Sequence, residues 1–369
     1  MNSQATGEIQ FGRNVVITAI ANLTRSTRNF ALVPFFSTNL SMGHYGDWEL
    51  LATVIAFATP WISMGLIGAM IRFLPGTSVE EIQEGFYSTF IFVLTMSVVT
   101  SVVICLTATL IEDTDILTPV RNNIASIASM LISTISMSTV LSYFRAFRQM
   151  FSHSTLSLCQ HFGEATIVIF LLQSGNHLTS AIWALVGIRT IISLAGLIII
   201  IKEIGIKWPS FQKLKSNLFF SIPLIPNSLF YRLYDSVDRF FLFFFWGSTA
   251  VGNYAAIYLA GSLLTTIVSP IHTVFLPTMA SFWNKGQKNE ITGYVTHIIR
   301  LSALITLPFF AIIVVLGEPI LQFLTQQVLI TETKSFIIIS LSFAIFGFGI
   351  PLGDILVVAG KSKNLFFLN

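Results

Sequence analysis

Residues 14–36 read NVVITAIANLTRSTRNFALVPFF. A helix needs about 20 apolar residues to cross the roughly 30 Å hydrocarbon core of a bilayer, and this run is long enough. Arg25 and Arg28 fall near its middle. Each costs about 2.5–3.5 kcal/mol at the centre of a membrane helix on insertion scales, so a span that keeps both is expected to turn them away from lipid. Three residues apart, they share one helix face, with Asn22 close by on the same side.

The chain around this stretch has the composition of an integral membrane protein. Of 369 residues 54% are hydrophobic and 10% charged, 34 are phenylalanine, and the mean hydropathy is +0.78; soluble domains carry about a quarter charged residues. The apolar segments run mostly to about 20–28 residues without the short alternating strands of an outer-membrane barrel, so the fold class is all-α. The opening MNSQATGEIQFGR leads into an apolar run too long for a cleavable signal, so the first span is expected to be retained. Cys105 and Cys159 each sit inside an apolar segment, and no disulfide framework, metal site or redox chemistry is expected from them.

Ten helices are expected, near residues 13–37, 46–72, 84–111, 120–143, 151–172, 178–201, 217–247, 251–280, 296–324 and 334–359, with an eleventh beginning in SKNLFFLN at the end. Alternate loops divide the basic residues unequally. One side holds thirteen, including Arg72, Arg145, Arg148, Lys202, Lys207, Lys213 and Lys215; the other holds Arg121 and Lys334. By the positive-inside rule the N-terminus is expected in the cytoplasm, with EDTD at 112–115 outside. The remaining five, Arg25, Arg28, Arg189, Arg232 and Arg239, are expected inside the membrane.

The chain repeats itself weakly. GHYGDWELLATVIAFATP (43–60) in the second helix matches GNYAAIYLAGSLLTTIVSP (252–270) in the eighth, an offset of 209 or 210 residues, or six helices. An even number of helices per half gives two halves of like orientation, related by an axis along the membrane normal. The expected organisation is an N-terminal six-helix lobe over 1–201, a cytoplasmic linker over 202–216 and a C-terminal lobe over 217–369 that is truncated, ending after four helices and a stub.

Several stretches carry a family resemblance by their order and spacing: the arginine-bearing first helix, SMGLIGAMIRFLPG (63–76), SIPLIPNSLFYRLYDSVDRFF (221–241), GNYAAIYLAGSLL running on to SPIHTVFLPTMASFWNKG (269–286), and AGKSK (359–363). The chain resembles the polysaccharide biosynthesis and O-antigen flippase branch of the multidrug/oligosaccharidyl-lipid/polysaccharide exporter superfamily. The resemblance implies a V-shaped pair of six-helix lobes around a cavity that opens alternately to the two membrane faces. It implies transfer of an undecaprenyl-pyrophosphate-linked oligosaccharide from the cytoplasmic to the periplasmic leaflet of a bacterial inner membrane. The partners expected with it are that lipid-linked oligosaccharide, membrane lipids, and a polysaccharide polymerase and chain-length proteins.

The charged residues give the candidate sites. Arg25, Arg28 and Arg189, with Glu164 as the acidic residue buried among them, leave the first lobe an excess of positive charge that suits a pyrophosphate, because guanidinium forks match phosphate oxygens bidentately. The alternative is a structural pair between Arg25 or Arg28 and Glu164. In the seventh helix Arg232, Asp235, Asp238 and Arg239 lie at spacings that neutralise one another, either as a structural ladder or as carboxylates exchanging H+ or Na+ during transport. Pro223 and Pro226 precede them as a candidate hinge. Ser126, Ser129, Ser133 and Ser136 stripe the fourth helix and are expected to serve close packing. Tyr254 and Tyr258, with Ser262, Thr265, Ser269 and His272, form a face of the eighth helix suited to sugars.

Other classes fit less well. AGKS at 359–362 has Ile355 where a phosphate-binding loop requires glycine, so ATP is not expected as a cofactor; nor is nucleic acid expected as a partner. A multidrug or small-molecule antiporter on the same fold would be expected to show an acidic, aromatic cavity rather than one with arginines. A membrane glycosyltransferase would need a sizeable outward loop, and these loops are short.

Overall fold

The computed structural model describes residues 24, 28, 31–36, 38–110, 123–222, 225–284, 288–325 and 333–358. Among these the regular structure is helical: a first helical segment over 31–36 (α1), then α2 (Met42–Ser63), α3 (Leu66–Phe73), α4 (Val79–Leu110), α5 (Ile124–Ala146), α6 (Met150–Gln173), α7 (Leu178–Ile204), α8 (Phe211–Ser221), α9 (Ile225–Asn284), α10 (Lys288–Thr325) and α11 (Thr333–Val358). Six of the described helices are long and apolar enough to cross a membrane, or seven when α2 and α3 count as one bent span. The chain divides into two compact units, Met1–Asn253 and Tyr254–Asn369.

In the first unit α5 is the central helix, with α2, α3, α4, α6 and α7 all packed on it. Its serines do what small polar residues do between membrane helices: Ser126 and Ser133 are buried, and the Ser136 and Ser193 hydroxyls hydrogen-bond across to α7 at 2.7 Å. Tyr143, Phe144, Phe86 and Met70 fill the space between α3, α4 and α5. The outer faces are apolar and uncovered. Val98, Val99, Val102, Val103 and Leu106 on α4, and Ile191, Leu194 and Ile198 on α7, are exposed, the reverse of a water-soluble surface and the arrangement a lipid solvent favours.

The motif SMG ends α2. Met64 and Gly65 both take left-handed backbone (φ 43° and 72°), and α3 leaves at 53° to α2. Glycine is needed at 65 on two counts: the positive φ, and a backbone approach so close that an added Cβ would lie 3.0 Å from Ser221. A second close approach joins α2 to α9, where a methyl at Gly46 would collide with the Ser248 carbonyl oxygen and one at Gly252 with that of Met42. The glycines of the internal repeat are thus contact points between helices.

At 32 residues α4 is about 48 Å long, more than a bilayer core requires. The excess at its start holds the segment after α7. Gln83 donates to the Ile204 carbonyl, Tyr87 donates to the Gly205 carbonyl at 2.5 Å, and the Ser88 hydroxyl both accepts from Ser210 N–H (2.7 Å) and donates to its carbonyl (3.1 Å). Lys207 reaches Glu84 at 3.0 Å and Glu80 at 3.5 Å. The hydrogen bond to Glu84 raises the lysine pKa above its ordinary value.

One boundary differs from the sequence expectation. The linker expected over 202–216 is helical to Ile204 and again from Phe211, so α8 occupies much of it. The helix expected over 217–247 is described as α8 to Ser221 and as α9 from Ile225, with residues 223 and 224 outside the described residues. Pro226 lies in α9 beside its first described residue, Ile225. Pro223 lies outside the described residues. The helix break that is present comes at Gly247, with φ 76° and extended ψ, and it separates the expected seventh and eighth helices within α9.

In the second unit α10 and α11 pack together. The α10 helix contains Pro308 and Pro319 and breaks at Leu316 (φ −107°, ψ 16°).

Candidate functional site

The buried face of α6 is polar in its first half, running through Ser154, Ser157, Gln160 and Glu164 before turning apolar at Val168 and Leu172. Gln160 and Glu164 lie one turn apart, and the Gln160 amide donates to Glu164 Oε1 at 2.9 Å. Glu164 is fully buried. Two cations meet it from other helices. Arg28, in a helical position ahead of α1, donates from Nη1 to Oε2; Arg189, midway along α7, donates from Nε to Oε1 at 2.7 Å. Arg189 is further fixed by Nη1, which donates to the Thr134 hydroxyl of α5 at 2.7 Å. Arg28 is thereby in the pair with Glu164 that the sequence left open as an alternative, and Arg189 joins it. Among the described residues, two guanidiniums thus share this one carboxylate. Arg25 and Asn22 lie outside the described residues.

A second polar group sits where α2 meets α9. Arg239 Nε is 3.8 Å from Glu49 Oε2, and Arg239 Nη1 is 3.8 Å from Asp238 and donates to the Asp235 carbonyl at 2.9 Å. The Asp238 carboxylate accepts the Arg239 backbone N–H at 2.8 Å. One helical turn from Glu49, Tyr45 hydrogen-bonds to it. Ser248 donates to Asp47 at 2.5 Å. Arg232 is half-buried on the same stretch of α9. Among the described residues, the carboxylates within 4 Å of the Arg239 guanidinium are those of Glu49 and Asp238.

Tyr254 and Tyr258 belong to the second unit. Their rings lie 5.8 Å apart, and Tyr258 meets Phe343 of α11 edge-on at 5.0 Å. Ser262 and Thr265 bond to their own helix's carbonyls. The side chains of Ser269 and His272 are outside the described residues, as is the AGKSK segment. Glu49, Asp47, Gln160 and Thr134 were missed in the sequence. The four-residue spacing of Gln160 before Glu164 could have flagged the first; Glu49 resembles an ordinary charge at the outer end of a helix.

With this arrangement in place, comparison with known proteins gives a family. The profile described as polysaccharide biosynthesis protein matches residues 11–283. The chain belongs to the polysaccharide biosynthesis protein family. A second profile, MatE, matches residues 223–369. Comparison with curated proteins gives no match. Solved structures are similar at low identity. An inward-facing multidrug resistance MATE transporter of the MOP superfamily is 15% identical with a TM-score of 0.63, over 95% of this chain and 86% of that one. The MATE multidrug transporter DinF-BH, in a complex, gives 13% and 0.65 over 97% and 84%. A MOP superfamily transporter from Pyrococcus furiosus, described by a reversed polarity of its binding pocket, gives 15% and 0.58 over 96% and 84%. At these identities the likeness shows the fold alone: an all-helical fold similar to that of these proteins.

Proposed function

We propose that this protein is a flippase. It moves an undecaprenyl-pyrophosphate-linked oligosaccharide repeat unit, of an O-antigen, capsule or exopolysaccharide, from the cytoplasmic to the periplasmic leaflet of the inner membrane by alternating access. The observation that carries the reading is that Arg28 and Arg189, from two different helices, both reach the single buried carboxylate of Glu164. A neutral pair would hold helices together equally well. The second guanidinium adds a charge that is costly in a membrane and that a pyrophosphate would neutralise. Arg25 adds to the same face in the sequence. The family match supports the substrate class. Tyr254 and Tyr258 offer an aromatic surface for sugar, and the Glu49, Asp235 and Asp238 carboxylates beside Arg239 offer a place for coupling to H+ or Na+.

The MatE match over 223–369 favours a second reading, a cation-coupled multidrug or small-molecule antiporter. The sign of the charge separates the two, because an organic cation gains nothing from a basic cluster. The test is complementation of a strain deleted for its own flippase. Arg28→Lys and Arg189→Lys are expected to retain part of the surface-glycan export, and the double Gln variant to lose most of it while still reaching the membrane. Wild-type export by the double Gln variant would overturn the flippase site.

A further inference from the structure

An apolar groove of about 400 Å³ lies where α8 hands over to α9, between Trp61 near the end of α2 and Ile222, Ile225, Leu229, Phe230 and Leu233. Ile225, Leu229 and Leu233 recur every four residues and so share one face of α9. Trp61, Ile222 and Phe230 are exposed. Beside Ile222, the close approach of Ser221 to Gly65 fixes the end of α8 on the bend between α2 and α3. One residue earlier, the Phe220 ring meets Phe73 of α3 edge-on at 4.8 Å, and the Arg72 guanidinium lies over both rings, 4.8 Å from the centre of Phe220 and 5.4 Å from that of Phe73. Arg72 is exposed and pairs with no carboxylate among the described residues. The uncovered face of α8 changes character along its length: Gln212 and Lys215 are exposed toward its start, Phe219 near its end, and Ile222 just beyond.

We infer that the groove and Arg72 together bind one anionic phospholipid of the adjacent leaflet, with a fatty-acyl chain in the groove and the headgroup phosphate on the guanidinium. Hydrocarbon fills any apolar groove that faces a bilayer, so what selects one lipid is a charge near its mouth. Arg72 is suited to that task. Its guanidinium is already set over two rings, so little freedom is lost when it binds, and its fork presents paired donors to phosphate oxygens. A lipid with net negative charge gains the whole of this attraction, whereas a zwitterionic one brings its own cation beside the phosphate and gains less. One guanidinium also matches one phosphate, the number in a phosphatidylglycerol headgroup. The face of α8 agrees with this placement. From Gln212 to Ile222 is ten residues, about 15 Å of helix, and over that distance the exposed side chains pass from polar to apolar as the bilayer passes from headgroup to hydrocarbon. The site shares no residue with the Glu164 cluster, and the inference does not rest on the flippase reading.

The test uses the purified full chain in detergent, equilibrated with dioleoyl phosphatidylglycerol or with dioleoyl phosphatidylcholine, and native mass spectrometry to measure the lipid retained. Phosphatidylglycerol is expected to be retained in preference. Arg72→Gln is expected to lower its affinity about fivefold, the scale of one basic residue at an anionic surface, and to leave phosphatidylcholine unaffected; Arg72→Lys is expected to keep part of the preference. Leu229→Gln puts an amide into the groove and is expected to reduce retention of both lipids, and Phe230→Ser, at an exposed position, does the same should Leu229→Gln fail to fold. Melting of Arg72→Gln in lipid-free detergent is expected to match the wild type, which separates lipid binding from a structural role of the stacked arginine. Arg28→Gln with Arg189→Gln is expected to leave phosphatidylglycerol retention unchanged, so failure of the flippase site and failure of this one are read separately. Equal retention of the two phospholipids, a preference that Arg72→Gln leaves intact, or displacement of phosphatidylglycerol by undecaprenyl phosphate at equal concentration would overturn the assignment.

Discussion

Replacing Glu164 by glutamine keeps the shape of the side chain and removes its charge. In the wild type two guanidiniums face one carboxylate at a site with no solvent exposure of the acid; in Glu164→Gln the same two cations remain with no counter-charge from that position. Leaving a buried charge without its partner costs about 3–5 kcal/mol. Arg28→Gln gives the opposite case, since Arg189 and Glu164 stay paired, and its cost is expected near the roughly 1.5–3 kcal/mol of one lost hydrogen bond to a charged group. Order, more than size, is diagnostic: Glu164→Gln should be far less stable than Arg28→Gln, and adding Arg28→Gln to Glu164→Gln should restore part of the loss. Thermal unfolding of the purified protein in detergent, followed by size-exclusion recovery, measures all three. A Glu164→Gln protein that melts with the wild type would refute the cluster.

Other expectations follow from the packing. Gly252→Ala should destabilise by about 1–3 kcal/mol or more, because its methyl meets the Met42 carbonyl, whereas Gly187→Ala, with open space around it, should be neutral or slightly stabilising; melting temperatures compare them directly. Ser88→Ala removes both hydrogen bonds to Ser210, and limited proteolysis should cut the 205–210 segment faster; unchanged cleavage would mean that α4 does not hold it. Since Glu84 raises the Lys207 pKa, that ion pair should persist across neutral pH and weaken only as pH rises through the raised lysine value, which cleavage rates at alkaline pH will show. Cysteine placed at Ser174 should react with an impermeant label outside the cell and cysteine at Lys215 should not; the reverse pattern would invert the topology.

The helices were legible because a span is written in the length of an apolar run, and the runs over 151–172 and 178–201 fall within a few residues of α6 and α7. The helical stretch of α8 from Phe211 to Ser221 was not, because residues 202–216 read as a lysine-rich linker. The break at Gly247 was legible: the expected helices 217–247 and 251–280 part there, at a glycine that takes a positive φ of 76° without a Cβ penalty. The arginines announced themselves by their cost in lipid. Their geometry did not: Glu164 stands 136 residues from Arg28 and 25 from Arg189, and only the packing of α6 and α7 brings these together. Glu49 was invisible for the same reason, since its partner Arg239 is on α9.

The most direct test of the account is translocation itself. Proteoliposomes carrying the wild-type chain and a fluorescent undecaprenyl-pyrophosphate-linked oligosaccharide, with a membrane-impermeant quencher or glycosidase outside, report which leaflet holds the glycan. The account predicts transfer by the wild type, partial transfer by Arg28→Lys with Arg189→Lys, and little by the double Gln variant. Equal transfer by the double Gln variant, or export of an organic cation in place of the glycan, would contradict it.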